Sequence, residues 1–94
     1  MKIYIFIITL FVNTFFCSCG EFTKLQKSTD YEYKYEAAKT YFAKGQYEKS
    51  ITLLNELITI LKGTDKGEES LYMLGMSYYN SKDYLTASQT FITY

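Results

Sequence analysis

Ninety-four residues are enough for one small domain, and ten Lys against ten Asp and Glu, with no Arg and no His, leave the chain formally neutral. A neutral surface without guanidinium forks excludes a nucleic-acid binder, which needs clustered cations, and the absence of His removes the commonest general base and metal ligand. Eleven Tyr and seven Phe against no Pro, no Trp and five Gly make the chain too apolar for disorder and too poor in turn residues for a small β-sandwich, so a helical array is expected.

Met1 and Lys2 precede an uncharged run from Ile3 to Phe16 whose most polar members are Thr9, Asn13 and Thr14. A short positive start and an apolar stretch of this size have the form of a signal peptide. Uncharged residues continue to Gly20, near the shortest stretch that can span a bilayer, about 17 residues. The end of the run, Phe16-Cys17-Ser18-Cys19, separates the two readings. It resembles the lipobox of bacterial lipoproteins, with the small Ser18 directly before the cysteine to be acylated, Cys19, although Phe16 stands where Leu is usual. Cys17 does not fit, because Phe16 would be the residue before it. The resemblance implies cleavage after residue 18 and lipidation at Cys19. With Gly20 rather than Asp next, it also implies delivery to the outer membrane. Cys17 would leave with the signal, so the mature chain would hold no free thiol and no disulfide.

Residues 19–29 show no clear period and are expected to form a lipidated tether. Thr29-Asp30-Tyr31-Glu32 has the form of a capping box and predicts a helix start. Tyr31, Tyr35, Ala38 and Phe42 follow at helical spacing, with Gly45 suited to the C-terminal end. Tyr47, Ile51, Leu54, Ile58 and Leu61 predict a second helix, stopped by Lys62-Gly63. Thr64-Asp65 starts a third, carrying Leu71, Leu74 and Tyr78, and a fourth runs from about Asp83 with Tyr84, Ala87, Phe91 and Tyr94.

Shifting the chain against itself by 37 residues sets Ala38 on Gly75, Tyr41 on Tyr78, Phe42 on Tyr79, Tyr47 on Tyr84, Ser50 on Ala87 and Leu54 on Phe91. Small falls on small and aromatic on aromatic, the mark of a solenoid built from repeated helix pairs. The pattern resembles the tetratricopeptide repeat: Ala38, Tyr41, Gly45-Gln46-Tyr47, Ser50 and Leu54 in one unit, then Leu74-Gly75, Tyr78-Tyr79, Lys82-Asp83-Tyr84, Ala87 and Phe91 in the next. Departures include Lys34 where Trp is common, Ser50 for Ala and Lys82 for Gly. The expected fold is therefore an all-α, tetratricopeptide-like solenoid of two antiparallel helix pairs. Its divisions are a signal peptide over 1–18, a tether over 19–29, one repeat over 30–63 and a second, incomplete repeat over 64–94. Small residues at Ala38 with Ser50, and at Gly75 with Ala87, should let paired helices approach, and Tyr41, Tyr47, Tyr78 and Tyr84 should fill the core between pairs.

The combination of Ser18-Cys19-Gly20-Glu21 with Lys27-Ser28-Thr29-Asp30-Tyr31-Glu32-Tyr33-Lys34-Tyr35-Glu36-Ala37-Ala38 and Glu68-Glu69-Ser70-Leu71-Tyr72-Met73-Leu74-Gly75-Met76-Ser77-Tyr78-Tyr79 resembles the BamD family of outer-membrane assembly lipoproteins, in its Bacteroidetes form. That resemblance implies a lipid-anchored, periplasm-facing scaffold that binds unfolded outer-membrane proteins and works with BamA and other subunits of the β-barrel assembly machinery. The later repeats by which such proteins meet BamA lie outside these residues. Other periplasmic tetratricopeptide lipoproteins and SusD-like glycan-binding lipoproteins are the alternatives, the last disfavoured by the absence of Trp.

Enzymatic chemistry finds no support. Glu68 and Glu69 are adjacent and point about 100° apart on a helix, so they cannot flank one bond; they read as a solvated helix start. Glu32 and Glu36 share a face without ligand spacing. There is no Ser-His pair, phosphate loop or calcium loop, and neither a metal nor a cofactor is expected. The tetratricopeptide resemblance lines the concave face with Glu32, Tyr35, Lys39, Phe42 and Ala43, then Glu69, Tyr72, Met76, Tyr79 and Asn80. Of these, Tyr35, Phe42, Tyr72, Met76 and Tyr79 are candidate pockets for an extended peptide, and Lys39 is a candidate partner for its carboxylate.

Overall fold

The computed structural model describes residues 20–94. Residues 20–27 form α1, followed by α2 (Tyr31–Ala43), α3 (Tyr47–Ile60), α4 (Asp65–Asn80) and α5 (Tyr84–Thr93). The fold is an all-α, tetratricopeptide-like solenoid in which α2 with α3 and α4 with α5 make the two helix pairs. Among the described residues there is no strand, and no helix is long and apolar enough to cross a membrane. The expected signal segment and Cys19 lie outside the described residues.

Each helix starts and stops for a local reason. Asp30 caps α2, its carboxylate accepting from the Tyr33 N–H at 3.2 Å. The cap is thus one residue later than the capping box places it, because the Ser28 hydroxyl holds the Asp30 N–H at 3.1 Å and turns the Asp30 side chain onto the helix. Glu32 then falls too early in the first turn to reach back, and pairs with Lys66 instead. Thr64 and Asp83 cap α4 and α5 through the N–H groups of Gly67 and Thr86. The turn inside each pair is written twice, with Gln46 N–H to Tyr41 carbonyl and Asp83 N–H to Tyr78 carbonyl both at 2.9 Å. It requires a left-handed residue, supplied by Gly45 at φ 76° in the first pair and by Lys82 at φ 68° in the second.

The core joins Leu53, Leu54 and Leu57 of α3 to Tyr35 and Ala38 of α2 and to Met73 and Leu74 of α4. Burying each leucine contributes about 1.5 to 3 kcal/mol. In the first pair the small residues meet as expected, the Ser50 hydroxyl donating to the Ala38 carbonyl at 3.1 Å inside the core. That bond accounts for Ser where the repeat usually has Ala. In the second pair a Cβ on Gly75 would come within 2.6 Å of the Phe91 ring, so the residue facing Gly75 is Phe91. A third close approach has no counterpart in the sequence pattern: a Cβ on Gly67 would stand 2.1 Å from the Leu61 carbonyl oxygen at the end of α3.

Two expectations need correcting. The segment expected to be a tether is helical over 20–27, with Leu25 buried in the core and Phe22 packed against it. One buried residue with one half-buried residue three positions earlier is too short a pattern to show a period. Tyr84, expected in the core, is exposed, as is a large part of α5, with Ile92 82 % accessible. Tyr78 does fill the inter-pair space, and its hydroxyl accepts from Asn55 of α3 at 3.3 Å. Tyr84 and Tyr47 instead meet the preceding helix edge-on, at 5.3 Å from Tyr79 and 5.9 Å from Phe42.

Two stability outcomes follow from these geometries. An L-residue in the left-handed region costs about 1 to 2 kcal/mol, and glycine gives back about half of that in unfolded-chain entropy. Lys82→Gly should therefore stabilise the fold by about 0.5 to 1 kcal/mol in urea titrations, whereas Gly45→Ala should destabilise it. Gly67→Ala, pressed against a backbone carbonyl, should cost about 1 to 3 kcal/mol, and more than Gly75→Ala, whose neighbour is a ring that can swing aside.

Candidate peptide-binding face

Positions 35, 39 and 42 on α2 repeat as 72, 76 and 79 on α4, so each first helix carries a stripe at spacings of four and three residues. Such spacing keeps the three side chains on one side of a helix. The two stripes differ in what they leave accessible. On α4, Tyr72 and Tyr79 are 47 % and 53 % exposed and Met76 is half-buried. On α2, Phe42 and Lys39 are half-buried, but Tyr35 is only 2 % exposed and belongs to the core.

Tyr35 is fixed by groups from both helices. Its hydroxyl donates to the Glu69 carboxylate of α4. The ammonium groups of Lys39 and Lys66 each lie 5.4 Å from its ring centre. Lys39 in turn sits 3.6 Å from Glu69, and Lys66 pairs with Glu32. Burial first, then the hydrogen bond to Glu69 and the negative charges of Glu69, Glu36 and Glu32, push the Tyr35 phenol well above its ordinary value of 10.0. Burial, with Glu21 and Tyr33 nearby, also raises Tyr41.

The candidate residues are thus divided. Tyr72, Met76 and Tyr79 form a continuous accessible line, with Phe42 and Lys39 available in part from the neighbouring helix. Tyr35 serves as the buried link between α2 and α4, and Lys39 already has a carboxylate partner. Glu69 acts in this network although its sequence neighbourhood reads as a solvated helix start. Only its position 37 residues after Glu32, on the same repeat face, hinted that it faces α2. Tyr79 also borders an apolar groove of about 540 Å³ that it forms with Tyr84, Ala87, Ser88, Phe91 and Ile92. Among the described residues no group of three or more His, Cys, Asp or Glu could hold a metal ion. What this face offers a ligand is aromatic contact, thioether contact and exchangeable ion pairs.

Stacked helix pairs presenting such a face define a protein-interaction scaffold. The chain belongs to the tetratricopeptide repeat family, which it matches over residues 32–60 and 69–92, once in each helix pair. Proteins of these repeats are generally non-catalytic and act by contact with other proteins. No curated protein and no solved structure matches the chain.

The clamp on Tyr35 has a readable alkaline signature. Its folded-state pKa lies above that of the unfolded chain, so the contribution to stability is intact below about pH 10. It is lost as pH rises through the interval between the two values, where the unfolded phenol ionises and the folded one does not. In an absorbance titration at 295 nm, Tyr35→Phe should remove the phenol that ionises last and flatten the fall of stability above pH 10.

Proposed function

We propose that this protein is a non-catalytic, lipid-anchored scaffold on the periplasmic side of the outer membrane, binding unfolded outer-membrane proteins for the β-barrel assembly machinery. Cys19 is its lipidation site, and BamA and the other machinery subunits are its standing partners. The observation that carries the reading is the uncharged line Tyr72, Met76 and Tyr79, in which two exposed tyrosines flank a half-buried methionine. Along an extended peptide, every second side chain returns to the same side after about 6.6 Å. The rise from Tyr72 to Met76 along α4 is about 6 Å, so two successive same-side residues of a client strand meet Tyr72 and Met76. Nascent barrel strands alternate apolar and polar residues, which supplies the apolar side that such a line selects.

Binding here has a reason to be transient. A client's terminal carboxylate would compete with Glu69 for Lys39, one exposed ion pair for another, a difference within about 1 kcal/mol. Affinity then comes from the aromatic anchors and orientation from the exchange, which suits a client that must be passed on.

Phe42→Ala combined with Tyr79→Ala should weaken binding of a barrel protein's terminal peptide about tenfold, the equivalent of about 1.4 kcal/mol, with an unchanged circular dichroism spectrum. Glu69→Gln leaves Lys39 without its partner and should tighten that peptide several-fold while leaving its amidated form unaffected. Undiminished binding by the folded double variant would place the client site elsewhere. For the machinery itself, affinity purification of the full chain from outer membranes should recover the barrel insertase; recovery of a TonB-type porin in its place would favour a glycan-binding lipoprotein.

A further inference from the structure

One residue of α2 has a task that neither helix pair explains. Lys34 stands where the second repeat has Leu71, yet its side chain is 1 % exposed. Its ammonium donates to the Gln26 carbonyl at 2.6 Å and to the Glu56 carboxylate at 2.8 Å, and lies 5.6 Å from the Tyr31 ring centre. A buried ammonium is costly unless charges and acceptors surround it. Here they come from α3 and from the last turn of α1, where unpaired carbonyls and the helix dipole favour a cation. Joining α2 to α3 would not require Gln26. Alongside, Leu25 is buried in the core, Phe22 meets Tyr41 edge-on at 5.7 Å, and the Lys49 ammonium of α3 lies 5.6 Å from the Phe22 ring centre. α1 is gripped by α2 and α3 through both charge and apolar contact.

We propose that α1 is a rigid mount that holds the repeat module at a short, fixed distance and angle from a lipid surface. The proposal rests on the lipidation of Cys19 put forward above and adds what the anchor does. Leu25, in the core, lies six positions after Cys19, and the helix from Gly20 to Leu25 rises about 7.5 Å. A flexible tether over residues 19–29 would instead wander over about 17 to 20 Å and reach about 36 to 40 Å when drawn out. The lipid therefore positions the module as well as retaining it: Tyr72, Met76 and Tyr79 are carried at one height above the bilayer in which their clients are to be inserted. Lys34 is the positioning residue of this mount, acting through Gln26.

Residues 20–94 hold no cysteine, so one reporter cysteine can be introduced at Ser81, in the exposed turn before α5. The full chain, expressed with its own amino terminus and checked for acylation by mass, is reconstituted in phospholipid vesicles whose headgroups carry an energy-transfer acceptor. Time-resolved energy transfer from a donor dye at Ser81→Cys to that plane of acceptors should give one narrow distribution of heights above the bilayer. Leu25→Glu should at least double its width, and Lys34→Met, which keeps an apolar side chain as Leu71 does, should broaden it less. Hydrogen exchange on the same vesicles should show protected amides in α1, at least tenfold less protected in Lys34→Met, with α4 unchanged. This second variant and readout decide the matter if Leu25→Glu fails to fold. An acylated parent protein with a distribution as broad as that of Leu25→Glu, or with unprotected α1 amides, would overturn the mount while leaving the lipoprotein reading standing. A Cys19 without acyl chains would overturn both.

Discussion

Close approach at small residues is the constraint on which the rest of this small solenoid depends. It occurs at three places and is solved differently at each. At Ala38 and Ser50 a hydroxyl bonds to the facing carbonyl. At Gly75 a ring takes the space a Cβ would need, and at Gly67 the neighbour is the carbonyl that ends α3. The third fixes where α4 begins relative to α3, and so where the second pair stacks on the first. Because core atoms pack at near-crystalline density, a backbone carbonyl there has nowhere to yield. The placement of Tyr72, Met76 and Tyr79 beside α2 follows from this stacking. Each sits on α4 at a height set by Gly67 and at a rotation set by the buried Ser70, Leu74 and Ser77.

Stacking also converts a candidate ligand-binding aromatic into a structural one. Once α4 lies beside α2, Glu69 comes within reach of both Tyr35 and Lys39, and the phenol is better satisfied by that carboxylate than by water. A buried hydroxyl needs a partner, and an ionised acceptor makes the stronger bond. The cost is one anchor fewer for a ligand. The gain is a fixed angle between the first helices of the two repeats, which is what turns separate aromatic stripes into one face. Lys39 and Lys66 over the ring add charge that balances Glu69 and Glu32 without closing the surface, since all four side chains stay partly exposed.

Four of the five helices among the described residues were legible from spacing alone, because their apolar residues recur over three or more turns and their ends carry Thr64, Asp83, Gly45 and Gly63. The family was legible for the same reason, through the agreement of Ala38, Tyr41 and Tyr47 with Gly75, Tyr78 and Tyr84 at one offset. α1 was not legible, since Leu25 and Phe22 are its only inward residues and periodicity needs more turns than it has. Nor was the split between Tyr35 and Tyr72. The two are equivalent in the repeat, and only the contacts of α2 with α4 bury one and leave the other open. Sequence spacing reports which side of a helix a residue occupies. It does not report what stands opposite, and that decided the roles of Tyr35, Glu69 and Gly67.

The departures from the repeat pattern therefore say more than the matches. Where both units agree, as in the paired turns closed by the Tyr41 and Tyr78 carbonyls, the residues serve the helix pair and would do so in any such repeat. Where they differ, one unit has taken on a task the other lacks. Lys34 against Leu71 ties the first pair to α1, whereas Tyr35 and Tyr72, the same residue in both units, differ only in what stands opposite, one closing the joint between repeats and the other left to solvent. Lys82 against Gly45 keeps the turn but accepts left-handed strain outside the core. The first repeat is closed on both sides, by α1 and by α4. The second keeps an open aromatic stripe on α4 and an exposed α5. The two pairs thus differ along the solenoid axis, the first covered by α1 and the second carrying the open aromatic stripe.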